Sequence, residues 1–336
     1  VHGAGDAPPD YLSADIDFHH GDVRDREMVR AALDGVDVVY HLAAAVGVGQ
    51  SMYEMRHYMD VNTVGTSVLL EEVVARGVDR LIVASSMSLY GEGLYRRGDG
   101  SRVEDAERSA EAVQRGRWEM VDERGEPLEP VPTPEDKRPA LASVYALSKY
   151  DQERLCIMAG GAYDLDVVAL RFFNVYGPRQ ALSNPYTGVM AIFGSRYLND
   201  RPPLVFEDGE QRRDFVSVYD VVQALGLART SEVAVGRVIN VGSGESRSVL
   251  EVADAMRWAL NREHIQPQIT GEFRVGDIRH CFADIRRART LLAYEPRVPF
   301  QKGIAELAEW MRSQSAEDRV DQMRAELSQR GLTVSG

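Results

Sequence analysis

Cysteine is nearly absent from this chain: 336 residues contain two, Cys156 and Cys281. Neither has a second cysteine or a histidine at ligand spacing, which excludes a disulfide framework and a zinc knuckle; both read as ordinary thiols, one in a helix core. His19 and His20 are adjacent, and neighbours on a strand point to opposite faces, so no metal is expected there. No apolar run approaches the roughly 18 residues of a membrane span, and no secretory leader pattern is present, so a cytoplasmic protein with no membrane partner is expected. Positive charge is scarce too. A formal net charge of −13 argues against a nucleic-acid surface, which needs a basic face. It does not argue against a small anionic ligand held by a few buried arginines. Internal repeats and low-complexity linkers are missing. So is a G-x-G-x-x-G turn in the first forty residues: Gly3 and Gly5 lie in a Pro/Asp-rich stretch with no strand before them.

What is present is alternation. Apolar, β-branched runs at residues 16–19, 36–41, 80–85 and 166–172 alternate with helical patterns at 27–33, 61–76 and 143–159. Dense Val/Ile/Leu content predicts strands buried on both faces, and the alternation predicts an α/β protein with a doubly wound parallel sheet. After Gly177 short segments, Gly and Pro predict a smaller interleaved α/β domain, with a run at 202–206 and a return to the main sheet at 238–241. Residues 92–142 form a long, polar, Gly/Pro-rich insertion, read as a solvated loop in preference to a lid. The charged tail at 315–330 has apolar spacing near the helical period and reads as a peripheral helix.

The sharpest chemical signal is Tyr145-Ala-Leu-Ser-Lys149. Positions four apart share a helix face, so a phenol and an ammonium can meet in one site, and a nearby cation favours the phenolate. On its own the pair is weak, since helices are full of such spacings. It gains weight from Ser86, which ends an apolar run where parallel sheets place ligands. Diphosphates favour guanidinium forks, making Arg213 and Arg274 candidates. Gly242-Ser-Gly244 lacks the lysine of a phosphate loop and reads as a turn.

Taken together, these residues resemble the extended short-chain dehydrogenase/reductases, specifically the NAD-dependent epimerase/dehydratase family that acts on nucleotide-linked sugars. The resemblance covers nearly the whole chain. It implies a Rossmann-like fold, NAD as cofactor, a dTDP- or UDP-linked sugar as substrate, and Ser86, Tyr145 and Lys149 as the catalytic set. It places Asp22 and Val23 at an adenine-contacting turn, and Leu42, Ala43 and Ala44 at the cofactor-lining turn of His41-Leu-Ala-Ala44. Asn62, in N-x-x-G-T, and Ser85 would also line the cofactor, with Phe173 near nicotinamide. Ser86, Asn174, Val189, Arg213, Arg274 and Asp277 would contact the substrate. It also implies a homodimer packed through helices near 62–76 and 143–159, with Leu147 and Leu155 compatible with such a face.

The same resemblance narrows the reaction. Sugar 4,6-dehydratases carry Asp-Glu after the residue that Ser86 matches, and decarboxylases a glutamate at the second position; here Met87 and Ser88 stand there. Without a second acid/base pair the expected chemistry is 4-epimerisation by transient oxidation at C4; the alternatives are another nucleotide-sugar epimerase or dehydratase, or a non-catalytic sugar-nucleotide-binding protein that has lost its cofactor site. The run 171–192 and the insertion resemble the subgroup that converts dTDP-L-rhamnose to dTDP-6-deoxy-L-talose. The expected division is an NAD-binding domain of residues 1–177 plus about 213–242, and a sugar-nucleotide domain of about 178–212 plus 243–336. The family's first strand-helix-strand unit, with its Gly-rich turn, has no counterpart, which leads to the expectation that roughly 30–40 residues precede Val1.

Overall fold

The computed structural model describes residues 8–9, 11–182, 188–274, 276–314, 318, 320–331 and 333–335. Its centre is a four-stranded parallel sheet in the order Val38–His41, Arg80–Ser86, Asp166–Phe172, Arg237–Val241. Every residue of Arg80–Ser86 is buried, as a central strand covered on both faces must be. Helices Gly65–Arg76, Val144–Ala162 and Val218–Ala228 make the three crossovers. The first two pack with Arg26–Ala32 around Leu70, Val73, Leu81, Val83 and Cys156 on one face. The third packs with Arg286–Leu292 around Ile82, Leu170, Ala224 and Ile239 on the other. Helices on both faces make the sheet doubly wound.

A second sheet has a core of its own. Arg212–Ser217 pairs antiparallel with Ser246–Ser248 and parallel with both His280–Cys281 and Asn174–Tyr176. Helices Val189–Leu198, Val249–Ala259 and Phe300–Arg312 close a core around Phe193, Tyr197, Met256 and Leu307. Residues 204–205 form a short strand inside the predicted run at 202–206.

Three expectations need correction. Residues 16–19 are not a strand; Ile16 and Phe18 are exposed, and Val38–His41 pairs only with Arg80–Ser86 among the described residues. A strand needs a neighbouring strand for its amides, and among the described residues none pairs with this segment, whose Ile16 N–H donates instead to Ser13 O at 3.2 Å. The helix predicted at 61–76 begins with a π-helical turn, Met59–Val64, before Gly65–Arg76. Most consequential, the insertion is not a solvated loop. Leu94–Arg96 pairs with Arg102–Val103 and Glu129–Val131, and Tyr95, Ala106, Met120 and Leu128 form a small core of its own. The tail helix, Val320–Gln329, is fastened more firmly than a peripheral reading implies: Asp318 and Asp321 pair with Arg196 and Arg201, each at 3.1–3.2 Å.

The insertion leaves the main sheet through Gly93, whose N–H donates to His280 O at 2.7 Å. A Cβ there would sit 2.7 Å from His280 O and 2.8 Å from Thr133 Oγ1. Gly93→Ala is therefore expected to destabilise the fold by about 1–3 kcal/mol, as overpacking does. A urea midpoint equal to that of the wild type would disprove it.

Candidate active site

Ser86 is the last residue of its strand, and its Oγ accepts the Ser88 N–H at 3.1 Å, which fixes the rotamer. Tyr145 lies in the first turn of Val144–Ala162, a helix capped by the Ser143 side chain. Its N–H donates to Ser51 Oγ at 3.0 Å, and Tyr58 meets its ring edge-on at 6.4 Å. The phenol lies beside Ser86. Burial pushes the phenol's pKa up, and the neighbouring Ser86 hydroxyl pulls it partly back.

Lys149 lies one turn further along and is buried. Its Nζ donates to Ala84 O and to Gln152 Oε1, both at 2.6 Å, so it is anchored to the strand rather than to the phenol. The expected phenol–ammonium contact is therefore not made in this arrangement. Below Lys149, Gln152 Nε2 approaches His41 Nε2 at 3.1 Å and Thr66 Oγ1 at 2.9 Å. Burial, then the Lys149 charge, hold the His41 imidazole down at about 3, so it is neutral. Ser51 and Gln152 escaped the sequence reading; the latter's only signal is its place three residues after Lys149.

Burial pushes the Lys149 ammonium down from 10.5 to about 8. Between those values the unfolded chain holds a proton that the folded chain has released, so this group makes stability rise with pH. Urea midpoints measured from about pH 8 to about pH 10 should rise more in the wild type than in Lys149→Met. Parallel profiles would contradict the assignment.

The residues expected around a cofactor fall into two groups. Leu42 and Ala43 are exposed, and Ala44 half-buried, on a ledge beyond Val38–His41. Asn62, in contrast, is fully buried: its Oδ1 accepts from Ala45 N at 2.7 Å, and its Nδ2 donates to Ala45 O and Ser148 Oγ. It holds the ledge instead of facing a ligand. The Ser85 hydroxyl donates to Glu153 Oε2 at 2.6 Å, and Phe173 packs with Met87, Leu89 and Tyr90. Asp22 is exposed with its carboxylate engaged by Arg24 at 2.6–2.9 Å, which lowers its pKa to about 2. Val23 packs where a Cβ on Gly65 would approach it to 2.5 Å. For a bound NAD, Ser86, Tyr145, Lys149 and the Leu42–Ala44 ledge suit the nicotinamide-riboside half; no Gly-rich strand-to-helix turn for its pyrophosphate occurs among the described residues.

Beside the triad lies a cavity of about 300 Å³, lined by Met87, Ser88, Ala142 and Ser143, the neighbours of Ser86 and Tyr145. Asn174, Val189, Arg213 and Asp277 also line it. Ser88, Asn174 and Gln211 line this cavity, and Ser88 Oγ, Asn174 Oδ1 and Gln211 Oε1 are buried without a hydrogen-bond partner. Each such group costs about 1–3 kcal/mol unless a ligand satisfies it. Arg213 donates to the carbonyls of Arg212 and Arg279 at 2.9 Å and to that of Ile278, with Asp277 at 3.6 Å. Arg274 ends the strand Glu272–Arg274, and its side chain lies outside the described residues. Gly242-Ser243-Gly244 is a turn whose amides bind the chain's own Asp214 carboxylate. Among the described residues no group of three or more His, Cys, Asp or Glu is arranged to hold a metal, and no helix is long and apolar enough to cross a membrane.

A strand-end serine next to a helical tyrosine beside such a cavity agrees with the family comparison. The model of the NAD dependent epimerase/dehydratase family matches residues 3–114 and 119–242. The chain belongs to this family. A dTDP-L-rhamnose 4-epimerase of Burkholderia thailandensis is 34% identical over 283 residues, 82% of this chain and 75% of that protein. Among solved structures, the UDP-glucose 4-epimerase of Thermotoga maritima with UDP-glucose matches at a TM-score of 0.74 and 28% identity, covering 90% of this chain and 86% of the other. The UDP-glucuronic acid 4-epimerase of Bacillus cereus, in complex with UDP-glucuronic acid and NAD, matches at 0.67 and 28%, covering 84% and 78%. Within this epimerase/dehydratase family, dTDP-glucose 4,6-dehydratases are also relatives, at 28% identity for one from Actinoplanes.

Proposed function

We propose that the chain is an NAD-dependent 4-epimerase of nucleotide sugars that converts dTDP-L-rhamnose to dTDP-6-deoxy-L-talose. The observation that carries this reading is the juxtaposition of Ser86 and Tyr145 beside a cavity whose next wall residues, Met87 and Ser88, supply no second acid or base. Water loss and decarboxylation both ask for such a group, and epimerisation does not.

Bound NAD⁺ would accept and return the C4 hydride. Tyr145, as phenolate, takes the proton of the C4 hydroxyl and gives it back. Ser86 hydrogen-bonds the same oxygen and keeps it within reach, while Lys149, with a pKa of about 8, supplies positive charge below the site. The 4-keto sugar turns over within the cavity while Arg213 and Asn174 hold the diphosphate. Val48 and Met52 flank Ser51, which fixes the Tyr145 backbone, and both line the cavity with Met87. This apolar, cation-free wall suits a methyl-bearing 6-deoxy sugar better than a uronate. A homodimer packed through Gly65–Arg76 and Val144–Ala162 belongs to the same reading, supported by the exposure of Leu147 and Met158.

The test is to incubate the full chain with NAD⁺ and dTDP-L-rhamnose, dTDP-glucose or UDP-glucose, and to resolve the sugars by NMR. A talo product from the first supports the reading; turnover of a glucose nucleotide alone overturns the sugar assignment. Loss of water at C6 would make it a dehydratase. If no NAD is bound and no sugar is turned over, the chain is a nucleotide-sugar binder instead.

A further inference from the structure

Three carbonyl groups hold Arg213, and two of them, those of Ile278 and Arg279, belong to peptide groups gripped from the other side. The N–H of Arg279 donates to Glu92 Oε1 at 2.7 Å, and the N–H of His280 to Glu92 Oε2 at 3.2 Å. The Ile278–Arg279 peptide thus gives its oxygen to Arg213 and its hydrogen to Glu92, and the Arg279–His280 peptide does the same. A carboxylate and a guanidinium face each other through two aligned peptide dipoles, an arrangement in which each hydrogen bond strengthens the next.

Glu92 opens the insertion, and other insertion residues hold the same segment. Arg108 donates to Asp277 O at 3.2 Å and pairs with Glu207 at 2.7 Å. Glu119 pairs with Arg279 and accepts from His280 Nε2 at 3.0 Å. His280 Nδ1 accepts the Arg212 N–H at 3.0 Å, which fixes the tautomer as Nε2–H. Arg279 is fully buried and also pairs with Glu207 at 2.9 Å and Asp208 at 2.6 Å. Charges buried to this extent are held tightly because any shift leaves one uncompensated.

We propose that the 92–142 insertion is a brace for substrate binding, and that Glu92 is its positioning residue, acting on Arg213 through the two peptide groups at 278–280. This rests on the reading of Arg213 as a ligand of the nucleotide diphosphate. Glu92 does not touch the substrate. Its charge and its two oxygens set where the Arg213 guanidinium stands and how much of its positive charge is left for an anion.

Calorimetric titration of the full chain with dTDP tests it. In Glu92→Gln, which keeps the shape but loses the charge and one acceptor, the dissociation constant for dTDP should rise about tenfold. KM for the nucleotide sugar should rise in step, with kcat at saturation within about twofold. Arg213→Ala should lose at least as much, and adding Glu92→Gln to it should lose nothing further, because the two act through one path. If Glu92→Gln does not fold, Arg108→Met, which keeps packing over Phe273 but releases the Asp277 carbonyl, takes its place with the same expected shift. A purely structural insertion would lower the melting temperature and leave the dTDP affinity unchanged. That result, or losses that simply add in the double variant, overturns the brace. Wild-type affinity in Arg213→Ala sinks the Arg213 reading and the brace with it, while a tenfold loss there with none for Glu92→Gln sinks the brace alone.

Discussion

Tyr145→Phe is expected to lower kcat by roughly 10²- to 10⁴-fold, the usual contribution of a placed acid/base group, while changing dTDP-sugar affinity by less than about threefold. The substitution removes one oxygen from a half-buried ring. It leaves intact what positions that ring: the Ser51 bond to the Tyr145 N–H, the Ser143 cap and the edge of Tyr58. It removes only the hydroxyl that lies beside Ser86. The uncomplexed site keeps that phenol protonated, since burial raises its pKa and the Lys149 ammonium is held by Ala84 and Gln152. Bound NAD⁺ would supply a cationic ring that favours the phenolate, and the Lys149 charge, one helical turn from Tyr145, would add to it. The decisive measurement is the split between kcat and dTDP-sugar affinity. A variant that keeps more than about a tenth of the wild-type kcat would remove Tyr145 from the chemistry.

The largest expected effect on stability lies behind the site. Arg171 and Glu153 form a two-pronged pair, Nε–Oε2 at 2.8 Å and Nη2–Oε1 at 2.7 Å, with side chains 6% and 1% exposed. Arg171 also donates to Tyr90 Oη at 2.8 Å, and Ser85 donates to Glu153. Glu153→Leu would leave the guanidinium buried beneath the catalytic strand with no counter-charge. The expected loss is about 3–5 kcal/mol by urea denaturation, and the double variant Glu153→Leu, Arg171→Met should recover much of it, because two apolar groups leave nothing unpaired. A single variant within about 1 kcal/mol of the wild type would mean that water or another carboxylate reaches Arg171.

The fold and the site were legible in the chain to different depths. The strand at 166–172 is found at the predicted residues, and those at 36–41 and 80–85 within two, because each is a dense β-branched run bounded by polar turns. Ser86, Tyr145 and Lys149 stood out because a strand end and a helical spacing of four are local patterns. The structure brings Ser86 and Tyr145 together but turns Lys149 toward a backbone carbonyl, a contact that spacing alone does not encode. Asn62 and Ser85 illustrate a related limit: a motif marks the residue, yet only packing shows that its polar atoms face Ala45 and Glu153. The insertion was misread for a different reason. Its apolar residues, Tyr95, Met120 and Leu128, follow no period of two or 3.6, and its acids Glu92 and Glu119 find partners more than a hundred positions away.

That last separation bears on how the molecule is made. Glu92 waits for a backbone amide 187 positions later, and Glu119 for a guanidinium 160 positions later. As the chain leaves the ribosome from its N-terminal end, the small sheet at 94–131 emerges long before the partners of Glu92 and Glu119, although Arg97 and Arg102 pair with other acids of the insertion, and closing so wide a loop is slow. The insertion is expected to stay open until synthesis has passed residue 280, so a stalled or shortened product would carry this acidic module undocked.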